Sequence, residues 1–345
     1  MAEHDEQRGM DRRDFLTAAS SALVGSTLLA AGWPAPAQAS VATPRAAVGS
    51  AFSDFKAGDI EANGLKFHYV EVGEGPLALC LHGWPDSPYS YRYLLPALAE
   101  AGYRAVAPYM RGYHPTEIPK EVTNTTALAG DVVGLRQAFG GDSKSVLIAH
   151  DWGTVAAYGG AAREPDGWHR VVVMNVPPLA YDAKVMFTYP QLKREFYWWF
   201  HQMAIADVVI PMNNFSYIDG IWADWSPGYD ASDDLPKAKD CMRPPGHLQA
   251  TIGYYRTFFD PKKFGTPEAA AEQSSVWGRP LPQKTLYLHG NQDGLFPLTD
   301  EQLHYEVRPL VAADATAIMV SGVGHFMLVE KPHVVNRYIL DFIRS

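Results

Sequence analysis

Cysteine is nearly absent from this chain of 345 residues: there are two, Cys80 inside an apolar run and Cys241 far along the sequence. Two such thiols make no disulfide framework, and they are expected as spectators rather than as a Cys80–Cys241 bridge. The twelve histidines are scattered, with no H-E-x-x-H and no C-x-x-C among them, so metal catalysis finds no support and no cofactor is expected. Basic runs are missing too. Formal net charge is −9, and −7 once the first 39 residues, with three arginines and five acids, are set aside. A mildly acidic body of this kind argues against nucleic acid as a partner. Beyond the N-terminal region no stretch is long and apolar enough to span a bilayer, so no stable membrane insertion is expected. With 47% hydrophobic and 19% charged residues, the chain has the means to bury a large core and lacks the charge excess of a disordered protein.

The N-terminus reads as an address. Residues 11 to 19, DRRDFLTAA, set Arg12 and Arg13 ahead of Phe15 and Leu16, and a weakly apolar stretch rich in Ala, Ser, Thr and Gly runs on to Trp33. Ala37-Gln38-Ala39 supplies a small-x-small cleavage pattern. Residues 1 to 39 are therefore expected to be a twin-arginine signal peptide, and the mature chain a periplasmic or secreted protein exported after folding.

From Leu65 onward, strand-like runs alternate with helical ones: LKFHYVEV, PLALCLHG, SYRYLLPALAEAG, YRAVAPYMRG, TTALAGDVVGLRQAFG, SVLIAHD, GTVAAYGGAAREP and HRVVVMNVP. Buried β-branched strands separated by helices imply a mostly parallel sheet with helices on both faces. The rhythm stops at Pro177-Pro178 and resumes with KTLYLHG, ATAIMVSG and a last helix PHVVNRYILDFIR. The segment between is rich in Tyr, Trp, Phe, Met and Pro. The expected organisation is an α/β core over residues 50–177 and 276–345, carrying an inserted helical cap over 178–275.

Three strand ends carry chemistry. SVLIAHD runs through Ala149-His150-Asp151-Trp152-Gly153 straight into a helix, the small-x-nucleophile-x-small pattern of a tight strand-to-helix elbow, with aspartate at its tip. KTLYLHG is followed by Asn291-Gln292-Asp293-Gly294, and ATAIMVSG by Val323-Gly324-His325-Phe326. Each alone has a bland reading: Asp151 as a helix N-cap, Asp293 as a turn residue, His325 as a core histidine. Together they give nucleophile, acid and base in the chain order of an α/β-hydrolase triad. A fourth element, His82-Gly83-Trp84-Pro85, follows the strand PLALCL.

With these motifs in hand, the sequence resembles the epoxide hydrolase and haloalkane dehalogenase branch of the α/β hydrolases over nearly the whole mature chain. The resemblance implies an eight-stranded sheet and an H-G-x-P loop whose backbone helps form the oxyanion hole, here from the Trp84 and Trp152 amides, with His82 structural. It also implies a pocket lined by Trp84, Pro85, Trp152 and Phe326. In some dehalogenases of the branch the acid follows the sixth strand instead. Asn175 stands there, which leaves the role with Asp293.

The cap segment Phe196-Tyr197-Trp198-Trp199 looks like the family's first ring-opening tyrosine segment and Tyr254-Tyr255-Arg256 like its second, which assigns Tyr197 and Tyr255 as donors to an epoxide oxygen. The expected function is hydrolysis of a small apolar epoxide to a diol, with water as co-substrate, through an Asp151 ester cleaved by His325-activated water. A haloalkane dehalogenase with the same triad is the alternative, although Trp84 occupies the position where an asparagine halide donor often stands. Trp152 speaks against a fluoroacetate dehalogenase, which would carry arginine after the nucleophile. A ligand-binding protein without turnover is the third reading.

Overall fold

The computed structural model describes residues 52–121 and 123–345; the expected signal peptide lies outside them. Eight strands form one sheet: β1 (Lys56–Ala62), β2 (Leu65–Val72), β3 (Leu77–Leu81), β4 (Arg104–Pro108), β5 (Val146–His150), β6 (Arg170–Met174), β7 (Thr285–Gly290) and β8 (Ala315–Val320). Their spatial order is β1-β2-β4-β3-β5-β6-β7-β8. β2 pairs antiparallel with both β1 and β4, and every other neighbouring pair is parallel.

Central strands buried on both faces explain why their sequences are apolar throughout rather than alternating. Leu77, Leu79 and Leu81 of β3, with Leu147 and Ala149 of β5, join one core cluster, which also takes Leu128, Val132 and Val155 from α2 (Thr125–Ala138) and α3 (Trp152–Arg163). The alternate residues Ala78, Cys80, Val146 and Ile148 join a second cluster. That cluster takes Leu94 and Leu98 from α1 (Leu94–Glu100) and Val335, Ile339 and Phe342 from the C-terminal helix Pro332–Arg344. Side chains one residue apart on a strand thus feed opposite layers. Cys80 and Cys241 are both buried free thiols.

The insertion between β6 and β7 is helical. It contains α4 (Leu179–Val185), α5 (Phe196–Phe200), α6 (Met212–Trp225), α7 (His247–Phe258) and α8 (Pro267–Trp277), with shorter turns between. The expected cap boundary at residue 275 falls inside α8. This helix packs on α2 and α3, where Gly159 of α3 leaves room for Val276, so the core layer resumes near Pro267. No helix among the described residues is long and apolar enough to cross a membrane.

Candidate active site

β5 ends at His150 and α3 starts at Trp152, so Asp151 must reverse the chain in a single residue. It does so at φ +51° and ψ −123°, a conformation costly for any residue with a Cβ, of order 1–3 kcal/mol. The neighbours are small because they have to be. A Cβ on Gly153 would come within 2.2 Å of the Leu81 carbonyl oxygen, and one on Gly83 within 2.1 Å of Asp151 Oδ1. The Asp151 side chain makes no capping bond to α3. Its Oδ1 instead accepts a 2.7 Å hydrogen bond from the Trp84 amide, just before the cis Trp84–Pro85 bond. The Trp152 amide is the first N–H of α3, one of those a helix leaves without an intrahelical acceptor.

Three strand ends converge behind the elbow. His325 Nε2 lies 3.6 Å from Asp151 Oδ2, and its Nδ1 donates to Asp293 Oδ2 at 3.0 Å. Asp293 is held from every side: Asn175 Nδ2 donates to its Oδ2 at 2.7 Å, and the Leu295 and Phe296 amides donate to its Oδ1 at 2.8 and 3.1 Å. Burial opposes ionisation of Asp293, but His325, His289 and the Asn175 bond outweigh it and hold its pKa below the usual value. Burial alone would likewise depress His325, and the carboxylates of Asp293 and Asp151 reverse that, raising it to about 10. The imidazole that touches both acids is therefore a cation whose charge is matched on each side.

Neighbouring histidines behave differently. His82 donates from Nδ1 to the Gly83 carbonyl at 2.9 Å and accepts from the Met110 amide at 3.1 Å. His150 donates from Nε2 to the His325 carbonyl at 2.9 Å. Burial pushes both pKa values down to about 4, so both rings are neutral.

This arrangement has known relatives. A family model described as alpha/beta hydrolase fold matches residues 76–332. The chain belongs to the α/β-hydrolase fold family. Among curated proteins, the hydrolase is 28% identical over 315 residues to an epoxide hydrolase of Caballeronia sordidicola, covering 83% of this chain and 93% of that one. It is also 28% identical to epoxide hydrolase 3 of Mus musculus, covering 83% and 76% of the two chains. Among solved structures, it superposes on Bacillus megaterium epoxide hydrolase in complex with an inhibitor with TM-score 0.70 at 24% identity, over 84% of this chain and all of that one. At that identity the likeness speaks for the fold.

The hydrolase holds a narrow cavity of about 30 Å³ over the nucleophile, lined by Asp151, Trp152, Tyr197, Tyr255 and apolar side chains from both the core and the insertion. Of the four residues expected on its walls, Trp152 is there. Trp84, Pro85 and Phe326 are not. Phe326 stacks on Trp222 with ring centroids 3.5 Å apart, and the Pro85 carbonyl accepts from the Trp222 indole at 2.8 Å, so both serve the seat of α6. The Trp84 ring is fully buried behind the wall, against Tyr197, Tyr255 and His201.

Tyr197 and Tyr255 meet edge to face at 5.3 Å between ring centroids. Burial, with the charge of Asp151 adding to it, drives both phenol pKa values far up, so both stay protonated. Tyr254, beside Tyr255 in sequence, spends its hydroxyl on the Arg111 carbonyl at 2.7 Å. The Tyr255 hydroxyl interacts with Tyr197 and with the Trp152 side chain but reaches full hydrogen-bond geometry with neither. It is a buried donor facing the cavity, and buried donors of that kind are rare without a purpose.

Two side chains near the cavity carried no sequence signal: Asp182 in α4 and Glu195 just before α5, both buried. Neither sits in a motif, and only the folded insertion reveals that they share a dry environment.

Proposed function

We propose that this hydrolase opens an epoxide to a vicinal diol through a covalent Asp151 ester. The observation that carries the reading is the pairing, on the walls of one cavity, of a strained aspartate with two protonated tyrosines. An aspartate nucleophile attacks an sp³ carbon, and the leaving group decides which partners it needs. A ring-opened alkoxide is strongly basic and requires a donor, whereas a halide leaves with weak N–H contacts.

Proton bookkeeping closes on the groups present. Asp151 Oδ2 displaces the ring oxygen at carbon, and a tyrosine gives its proton to the alkoxide. Esterification removes the negative charge of Asp151, one of the two that hold the His325 proton, so His325 restores the tyrosine and becomes a neutral base. It then takes a proton from water, and the hydroxide attacks the Asp151 carbonyl carbon. The developing oxyanion forms at Oδ1, where the Trp84 amide already donates and the free Trp152 amide opens α3. Collapse expels the diol as alkoxide, which takes the proton of the nascent Asp151 carboxyl group. Asp151 returns as carboxylate and His325 as cation.

Tyrosine donors should matter for epoxides alone. Tyr197→Phe or Tyr255→Phe is expected to lower epoxide turnover roughly ten- to a thousand-fold, and the double variant to abolish it while the protein stays folded. Diol and halide release are scored separately on a panel of epoxides and haloalkanes. Native-like epoxide turnover by the double variant would remove the tyrosines from the mechanism. Halide release without any diol from the native enzyme would turn the assignment to a dehalogenase.

A further inference from the structure

A mostly apolar cavity gains nothing from a buried carboxyl group on its wall unless something polar comes to meet it. Asp182 of α4 lines the same cavity as Asp151 and is only 2% exposed, yet its Oδ1 has no hydrogen-bond partner among the described residues. Glu195 lies close enough for the two charges to interact and is fully buried. Its Oε1 accepts from Gln191 Nε2 at 2.7 Å, while its Oε2 is also without a partner. The same Gln191 nitrogen donates to the carbonyl of Leu295, another wall residue, at 3.0 Å, which fixes the acids relative to the cavity. No cation offsets them: neither carboxyl group takes part in an ion pair among the described residues.

Leaving a buried polar atom unpaired costs about as much as a lost hydrogen bond, and two at one place mark a cost carried without structural return. Leucine at 182 would serve packing better. Burial, the dominant influence, raises the pKa of both Asp182 and Glu195, and the nearness of Asp182 raises Glu195 further, so the pair resists carrying a full double charge while still offering acceptor oxygens.

From the unpartnered oxygens at the cavity wall we infer that Asp182, supported by Glu195, forms a polar subsite for the substrate's tail, selecting epoxides that carry an O–H or N–H donor away from the ring. This deepens the epoxide reading and rests on it. The donor meets Asp182 while the epoxide meets Tyr197 and Tyr255, so the subsite sets specificity and takes no part in bond making.

The test compares three terminal epoxides of equal length ending in methyl, hydroxyl or amine. The native enzyme is expected to favour the hydroxyl- and amine-ended compounds over the methyl-ended one by about tenfold or more in kcat/KM, the scale of one hydrogen bond in a buried site. Asp182→Leu should abolish that preference. Asp182→Asn keeps an acceptor, so it should retain the hydroxyl-ended compound and lose the amine-ended one. Asp182→Leu should melt no lower than the native protein, which separates specificity from misfolding. Binding of the matching epoxide-free alcohol and amine, followed by quenching of tryptophan fluorescence, needs no turnover and should weaken about tenfold in Asp182→Leu. Unchanged binding and unchanged preference in that variant would overturn the subsite. Failure of all three epoxides to yield diol would overturn the epoxide reading, with the binding measurement still deciding the subsite.

Discussion

At the scale of single residues, the site depends on what has been kept small as much as on what reacts. Gly83 carries no chemistry, but its α-hydrogen faces the carboxylate of Asp151 so closely that a methyl group would overlap Oδ1. Gly83→Ala must therefore push Asp151 away from the Trp84 amide. The expected result is loss of most activity, a hundredfold or more, with a stability loss of about 1–3 kcal/mol from overpacking. Turnover and urea unfolding on one preparation check both, and native-like turnover would mean that the elbow and loop yield more than their spacing allows. Asp151, Asp293 and His325 could be picked out beforehand because each ends a strand and their order along the chain is informative. Asn175 was noticed only as the absence of an acid, yet it donates directly to Asp293. His150 carries no signal of its own in the elbow motif, and it ties β5 to the His325 backbone.

At the scale of elements, legibility followed periodicity. The central strands β3 to β7 announce themselves because both faces are buried and nearly every position is apolar. β1 does not: KAGDIEA is an edge strand with an exposed outer face, charged and broken by Gly58, and only its pairing with β2 makes it a strand. Edge strands often carry such charges, which discourage pairing with other chains. The insertion was recognisable from its aromatic content and its place between Pro178 and KTLYLHG. Its internal order was not, since aromatics there pack the interior and line the cavity alike. Trp222, on α6, stacks on Phe326 at the base of the insertion, whereas Trp152 faces the cavity. Nothing in their sequence surroundings tells these uses apart. The end of the insertion has no sharp mark in the sequence, because α8 meets the core through Val276 and the small residues of α3.

At the scale of the whole molecule, the two halves of the proposed site come from different layers. Asp151, Asp293 and His325 stand on strand ends of the core, and Tyr197 and Tyr255 hang from the insertion above them. A protein that must assemble both layers before it works suits a route that exports folded chains, which is the expectation attached to Arg12 and Arg13. Replacing both with lysine should leave uncleaved precursor in the cytoplasm, and cell fractionation of that variant would show normal export if the leader works otherwise. The central claim, however, is the covalent ester, and the complete enzyme reports on it directly. His325→Gln should still be alkylated at Asp151 but hydrolyse slowly, so after incubation with an epoxide that the native enzyme converts, peptide mass mapping should find the epoxide's mass added to the peptide containing Asp151. No added mass, or mass on another residue, would contradict it.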